Sequence, residues 1–196
     1  MSELASHLAS GGLVILAGDA FRGGDLDLAA AASRITPDTI AFMARHARGL
    51  ICLGLSARRA AELGIELQQR EQHGSSGRPF GQSIEASEGV STGISAADRA
   101  RTISVAVDPS KGPADLVSPG HIFPLIADPG GPTKRLSTLE AGLAIVEAAG
   151  LGDGVVLCAV LREDGSMARL NEVTEWAAVQ SIPIVDIGTW VAEHKQ

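Results

Sequence analysis

Short aliphatic runs alternating with capped helical stretches predict an α/β (α+β) fold, a single domain over residues 1–196 with a mixed sheet flanked by helices. Two observations carry this reading. The apolar runs are rich in Val, Ile and Leu and are bounded by Gly, Pro or Ser, as strands are. The stretches between them open on recognisable helix caps. Aromatic residues make up only 3% of the chain, with no Tyr, so the core must be aliphatic.

The expected strands are Leu13 to Leu16, Leu50 to Leu53, Gln82 to Ala86, Ile122 to Ile126, Val155 to Leu161 and Pro183 to Ile187. Thr36-Pro37 pairs a cap with proline at the first helical position, predicting a helix to about Arg48. Ser95 with Asp98 resembles a capping box ahead of a helix ending near Ala106. Ser137 with Glu140 forms a full capping box, and Gly150 stops the helix that follows. Glu172 to Gln180 places Val173, Trp176 and Ala177 on one helical face. Gln72 to Pro79 and Asp128 to Pro132 read as loops, and no internal repeat is present.

Composition narrows the function. A net charge of -7 argues against a general nucleic-acid or acidic-membrane binder, which needs a basic surface, but leaves room for a local basic pocket. No apolar run reaches the roughly 20 residues of a membrane span, and the N-terminus lacks the pattern of a signal peptide. Cys52 and Cys158 lie inside apolar runs without metal-ligand spacing, which fits core packing in a reducing, cytoplasmic setting.

Three stretches point to one family. They are Gly89 to Ile103 (GVSTGISAADRARTI), Ser118 to Leu125 (SPGHIFPL, followed by Pro129-Gly-Gly131), and Glu163 to Arg169 (EDGSMAR). In order and spacing the chain resembles the 3,4-dihydroxy-2-butanone 4-phosphate synthases of riboflavin biosynthesis from about Leu13 to Trp190. That resemblance implies conversion of ribulose 5-phosphate to dihydroxybutanone phosphate and formate, through an enediolate, dehydration and a skeletal shift. It also implies Mg²⁺, a phosphate anchor, and a homodimer whose active sites lie at the interface.

The chain departs from the family in the acidic loop after the first strand. Here the loop reads Gly18-Asp-Ala-Phe-Arg-Gly-Gly-Asp-Leu-Asp27. Arg22 and Asp27 match substrate-contacting residues, and Asp25 matches a further acidic position. Gly23 stands where the family has a metal-binding Glu, and a glycine offers Mg²⁺ no side-chain oxygen. Without the resemblance this loop reads as a Gly-rich turn with Asp at turn positions. In the second half of the site Arg135 is retained, Thr138 replaces the metal-binding His, and Leu139 replaces a phosphate-contacting Thr. Ala159 replaces a catalytic Glu. His121 matches an essential histidine, and Thr92, Ser91 and Cys52 match residues around the pocket.

The residues expected to act are therefore His121 and Asp27 in catalysis, with Arg22, Asp27, Thr92, Arg135, Ser137 and Thr138 binding an anionic, phosphorylated small molecule. Ser137 could equally be only a helix cap, and Arg135 only a solvated residue. No metal is expected at Gly23 and Thr138, and no other cofactor. The leading expectation is an altered, metal-independent enolisation, elimination or other lyase-type step with His121 as base. The alternatives are a catalytically inactive binding or partner protein, and the parent synthase reaction with Asp19 or Asp25 as substitute ligands.

Overall fold

The computed structural model describes residues 2–68 and 77–194. In chain order these form α1 (Glu3–Ala9), β1 (Val14–Ala17), β2 (Asp27–Ala31), α2 (Pro37–Phe42), β3 (Arg48–Leu55), α3 (Ala57–Glu62), β4 (Ile84–Ala86), α4 (Ala96–Val107), β5 (Leu116–Ile126), α5 (Gly131–Lys134), α6 (Thr138–Ala148), β6 (Gly154–Val160), α7 (Leu170–Val179), β7 (Ile184–Asp186) and α8 (Ile187–Glu193). The seven strands make one mixed sheet in the order β4-β5-β3-β6-β2-β1-β7. Pairing is parallel for β1–β7 and β3–β5, and antiparallel elsewhere.

The sheet is buried on both faces, and its alternation sorts the core into two halves. Ile15, Leu28, Ala30, Leu53, Val156 and Cys158 face one half, with Ile40 of α2, Ile103 of α4 and Val173 of α7. Leu16, Ala29, Ala31, Cys52, Val155 and Leu157 face the other, with Leu8 of α1, Leu143 and Ile145 of α6, and Val191 of α8. Gly142 permits α6 to approach closely, because a Cβ there would lie 3.1 Å from a Leu16 methyl and 3.3 Å from one of Val155.

The helix caps behave as their residue types require. Thr36 accepts from the Thr39 amide at 3.1 Å, and Ser95 from the Asp98 amide at 3.0 Å. The Ser137–Glu140 box differs from expectation. Ser137 accepts from the Leu139 amide, but the Glu140 carboxylate turns away from the Ser137 backbone, accepting instead from the Ser137 hydroxyl, the Asp128 amide and, at 3.6 Å, Arg135. The helix opened by Thr36 tightens to α2 and ends in one π turn, Met43–Ala47. Residues 72–76 of the expected Gln72 to Pro79 loop lie outside the described residues.

Two corrections matter for the site. Asp27–Ala31 is a strand, although Asp-Leu-Ala-Ala-Ala has no β-branched residue; burial between β1 and β6 overrides its weak propensity. The expected last strand stops at Asp186, which caps α8 by accepting from the Thr189 amide at 2.7 Å.

Candidate active site

Asp27 opens β2 and is completely buried. A buried carboxylate must be compensated, and this one has three donors. Arg22 Nη1 reaches Oδ2 at 2.5 Å, Arg78 Nη2 reaches Oδ1 at 2.7 Å and Oδ2 at 2.6 Å, and the Thr138 hydroxyl reaches Oδ2 at 2.6 Å. Local folding positions each partner. Asp19 caps the short turn Ala20–Arg22 by accepting from the Phe21 amide, and Gly23 ends that turn at a φ of 62°. The turn delivers Arg22 back onto Asp27. Thr138 begins α6, and Asp19 Oδ2 accepts its amide at 3.1 Å.

Charge surrounds this cluster. Asp25 contacts Arg22 at 3.4 Å and Arg169 at 3.2 Å. Burial is the largest single influence and works against the Arg78 charge, but Asp27, with Cys52 and Asp19, together outweigh it and the guanidinium pKa rises. Cys52 lies beside the cluster, and burial pushes its thiol up to about 11. Cys158 is pushed up to about 12, again by burial. Both remain neutral thiols at physiological pH, so neither is an activated nucleophile.

Arg135 and Ser137 form the neighbouring wall. The Arg135 guanidinium sits 5.4 Å from the centre of the Phe21 ring, donates to the Gly77 carbonyl at 2.8 Å and approaches Glu140 at 3.6 Å. It is a held residue rather than a freely solvated one. Two amides at the start of α6 are already capped, Thr138 by Asp19 and Leu139 by Ser137. These two amides are therefore not free to meet an anion, and the charge on this wall is that of the Arg135 guanidinium.

The donors present do not fit the Mg²⁺ that the resemblance implies. Mg²⁺ needs oxygen lone pairs. Asp27 already accepts from two guanidiniums and a hydroxyl, and Thr138 gives its single hydroxyl proton to the nearer carboxylate. Space is not the obstacle at Gly23, where a Cβ would meet nothing within 4 Å. Among the described residues no group of three or more His, Cys, Asp or Glu is arranged to hold a metal.

His121 belongs to a second cluster. Its Nδ1 lies 2.6 Å from Glu85 Oε2, its amide donates to the same oxygen at 3.2 Å, and the Thr102 hydroxyl donates to Oε1 at 2.7 Å. Glu85 is buried, whereas the His121 side chain is 44% exposed. A carboxylate accepts, so Nδ1 carries a ring proton, and in the neutral imidazole Nε2 is then the acceptor. Thr92 is exposed on the adjoining loop, between Ser91 and Gly93, whose amides both donate to Asp98. A Cβ on Gly93 would lie 1.9 Å from Glu85 Oε2 and 2.4 Å from His121 Nδ1, so only glycine fits.

The chain thus gathers Arg22, Asp27 and Thr138, with Arg135 and Ser137 alongside, and places His121 and Thr92 elsewhere. β5 and β2 are separated by β3 and β6, three strand spacings or roughly 14 Å. Ala159 lies directly opposite Asp27 in the β2–β6 register, so the expected catalytic carboxylate would have stood beside that cluster. Sequence reasoning missed Arg78 and Glu85 as site residues, and named Asp19 only as a substitute metal ligand. Arg78 sits in a polar loop whose local pattern carries no signal. Glu85, a charge inside an apolar strand, could have been noticed.

Residues 2–193 match the family described as 3,4-dihydroxy-2-butanone 4-phosphate synthase. A curated relative of that name from Pseudomonas aeruginosa is 44% identical over 184 residues, covering 94% of this chain and 50% of its own length. Another of that name, from Nitratidesulfovibrio vulgaris, is 40% identical and covers 94% of this chain and 86% of its own length. A solved 3,4-dihydroxy-2-butanone 4-phosphate synthase in complex with two magnesium ions is 28% identical, with a TM-score of 0.91 over 97% of this chain and 94% of that one. The chain spans about half the length of the first curated relatives it matches. These relatives overturn the expectation of an altered enolisation or elimination. At 40 to 44% identity they bear the synthase name, which favours the parent reaction over both a changed and an inactive function. A single mixed sheet with this order of elements, and a match over nearly its whole length, make the chain a member of the 3,4-dihydroxy-2-butanone 4-phosphate synthase family.

Proposed function

We propose that this chain performs the parent synthase reaction of riboflavin biosynthesis, converting ribulose 5-phosphate to dihydroxybutanone phosphate and formate. The observation that carries the proposal is the Asp27 cluster. A chain 44% identical to a named synthase keeps Arg22 and Asp27 in direct contact beneath the first turn of α6.

In this reading Arg22 and Arg135 hold the anionic substrate, with Ser137 and Thr138 shaping the wall beside α6. Asp27 fixes the guanidiniums in place. His121 Nε2 takes the proton beside the carbonyl, and Glu85 steadies the imidazolium that results. Thr92 borders the same imidazole. No resident cofactor is assigned, because the Asp27 carboxylate is already committed to two guanidiniums of the chain itself.

His121 and Asp27 lie too far apart in one chain to act on the same bond. The proposal therefore includes a homodimer in which His121 of one copy serves the Asp27 cluster of the other. Exposed Leu50, Ile94 and Val117 offer apolar surface for that contact. We further propose one domain over residues 1–196 and a cytoplasmic location. Among the described residues no helix is long and apolar enough to cross a membrane.

The test is formate release from ribulose 5-phosphate, followed by proton NMR. The wild type should release formate, and Asp27→Asn or His121→Ala should lower the rate by about a hundredfold or more. Mixing the two variants should restore part of the activity if the site is shared. A wild type producing no formate above buffer, with or without Mg²⁺, would reject the proposal.

A further inference from the structure

Arg78 stands where a guanidinium changes what the site can hold. Its Nη2 bridges both oxygens of the fully buried Asp27, and Arg22 Nη1 also contacts Oδ2. Asp19, the second buried carboxylate, is taken by the Phe21 and Thr138 amides. Arg22 and Arg78 therefore bring two positive charges to the point where a divalent cation would need free carboxylate lone pairs. A cation entering here would have to displace at least one guanidinium from an oxygen it shares. It would also sit against two guanidinium charges.

We propose that Arg78, together with Arg22, supplies the positive charge of this site in place of a divalent cation, and so acts as a positioning residue for the anionic substrate. The chemistry suits the class of ligand. An enediolate or a phosphate presents two oxygens a short distance apart, which a planar guanidinium fork matches. Arg22 Nη2 makes only a 3.4 Å contact with Asp25, a contact a ligand oxygen can replace. Arg78 acts through Asp27, holding the Arg22 fork in place and adding its charge. The substrate part of this inference rests on the synthase reading above, whereas the metal part does not.

The deciding experiment pairs Mn²⁺ titration, read by electron paramagnetic resonance, with calorimetry of ribulose 5-phosphate in EDTA. The wild-type protein should leave Mn²⁺ free in solution and should bind the sugar phosphate equally well with EDTA or with Mg²⁺. Arg78→Gln should weaken that binding by about tenfold or more, and Arg78→Lys should recover part of it. Stoichiometric Mn²⁺ binding by the wild type would overturn the proposal, and so would an Arg78→Gln variant that binds like the wild type. If Arg78→Gln fails to fold, the wild-type Mn²⁺ titration and the EDTA comparison still decide. A protein binding neither Mn²⁺ nor any pentose phosphate would remove the substrate class and leave the charge substitution standing.

Discussion

The Asp27 cluster and the His121 cluster are built on opposite plans. Around Asp27 the carboxylate is sealed and every oxygen answers to a cation or a hydroxyl of the same chain. Around His121 the carboxylate of Glu85 is buried, but its partner imidazole faces outward. The first arrangement holds fixed charge and resists rearrangement. The second exposes a group that can take or give a proton. Within one fold, the loop before β2 holds guanidiniums on Asp27, while the strand pair β4–β5 presents an imidazole backed by a carboxylate.

The largest expected effect separates the two regions by stability. Asp27→Ala leaves Arg22 and Arg78 facing each other beneath α6 without their shared counter-charge. Removing one partner of a buried ionic group costs about 3–5 kcal/mol, so urea unfolding should show a midpoint far below that of the wild type. Loss of less than about 1 kcal/mol would mean the cluster relaxes outward and is not a rigid scaffold.

An alkaline titration should strike the Asp27 side next. The Cys52 thiol has its pKa raised from 9.0 to about 11 in the folded protein, by burial first. A raised thiol pKa means the unfolded chain loses its proton earlier. Its contribution to stability is then intact below pH 9 and falls as pH rises towards 11. Two pKa units correspond to about 3 kcal/mol. Thermal melts from pH 8 to 11 should therefore drop, and Cys52→Ser should flatten part of the drop. Slow labelling of both thiols at pH 8 in the folded protein would agree, and rapid labelling would not.

Glu85→Gln tests the other cluster. It removes the charge behind His121 while keeping the size, so unfolding should shift by about 1–3 kcal/mol. The His121 ring resonances should move in the NMR spectrum, because Nδ1 then meets an amide in place of a carboxylate. An unchanged ring spectrum would break the link between the pair.

A glycine pair gives the smallest and sharpest contrast. Gly23 and Gly93 both have positive φ, but Gly23 faces open space while Gly93 is walled in by Glu85 and His121. Gly23→Ala should cost about 1 kcal/mol for backbone conformation alone. Gly93→Ala should cost more and should disturb the His121 resonance. Equal costs would show that the dyad yields without resistance.

Much of the scaffold was legible because its signals are local. Thr36, Ser95 and Ser137 announce their helices through hydrogen bonds spanning two or three residues. The strand β2 was not legible, since its alanines form a strand only by burial between two neighbours. The site divides in the same way. Arg22, Asp27, Arg135 and His121 could be named from motifs, yet their grouping could not. Arg78 reaches Asp27 across 51 residues of chain, and Thr138 reaches it across 111.

The sequence by itself determined the family, the aliphatic core and most helix starts. Those properties follow from residue type and near-neighbour spacing. Only the tertiary structure decided that Asp27 is locked by two guanidiniums, that Ala159 lies opposite it, and that His121 stands three strands away with Glu85 behind its ring. The reason is physical. Strand order and register bring together residues that no local interaction connects, and burial then selects which charges must pair.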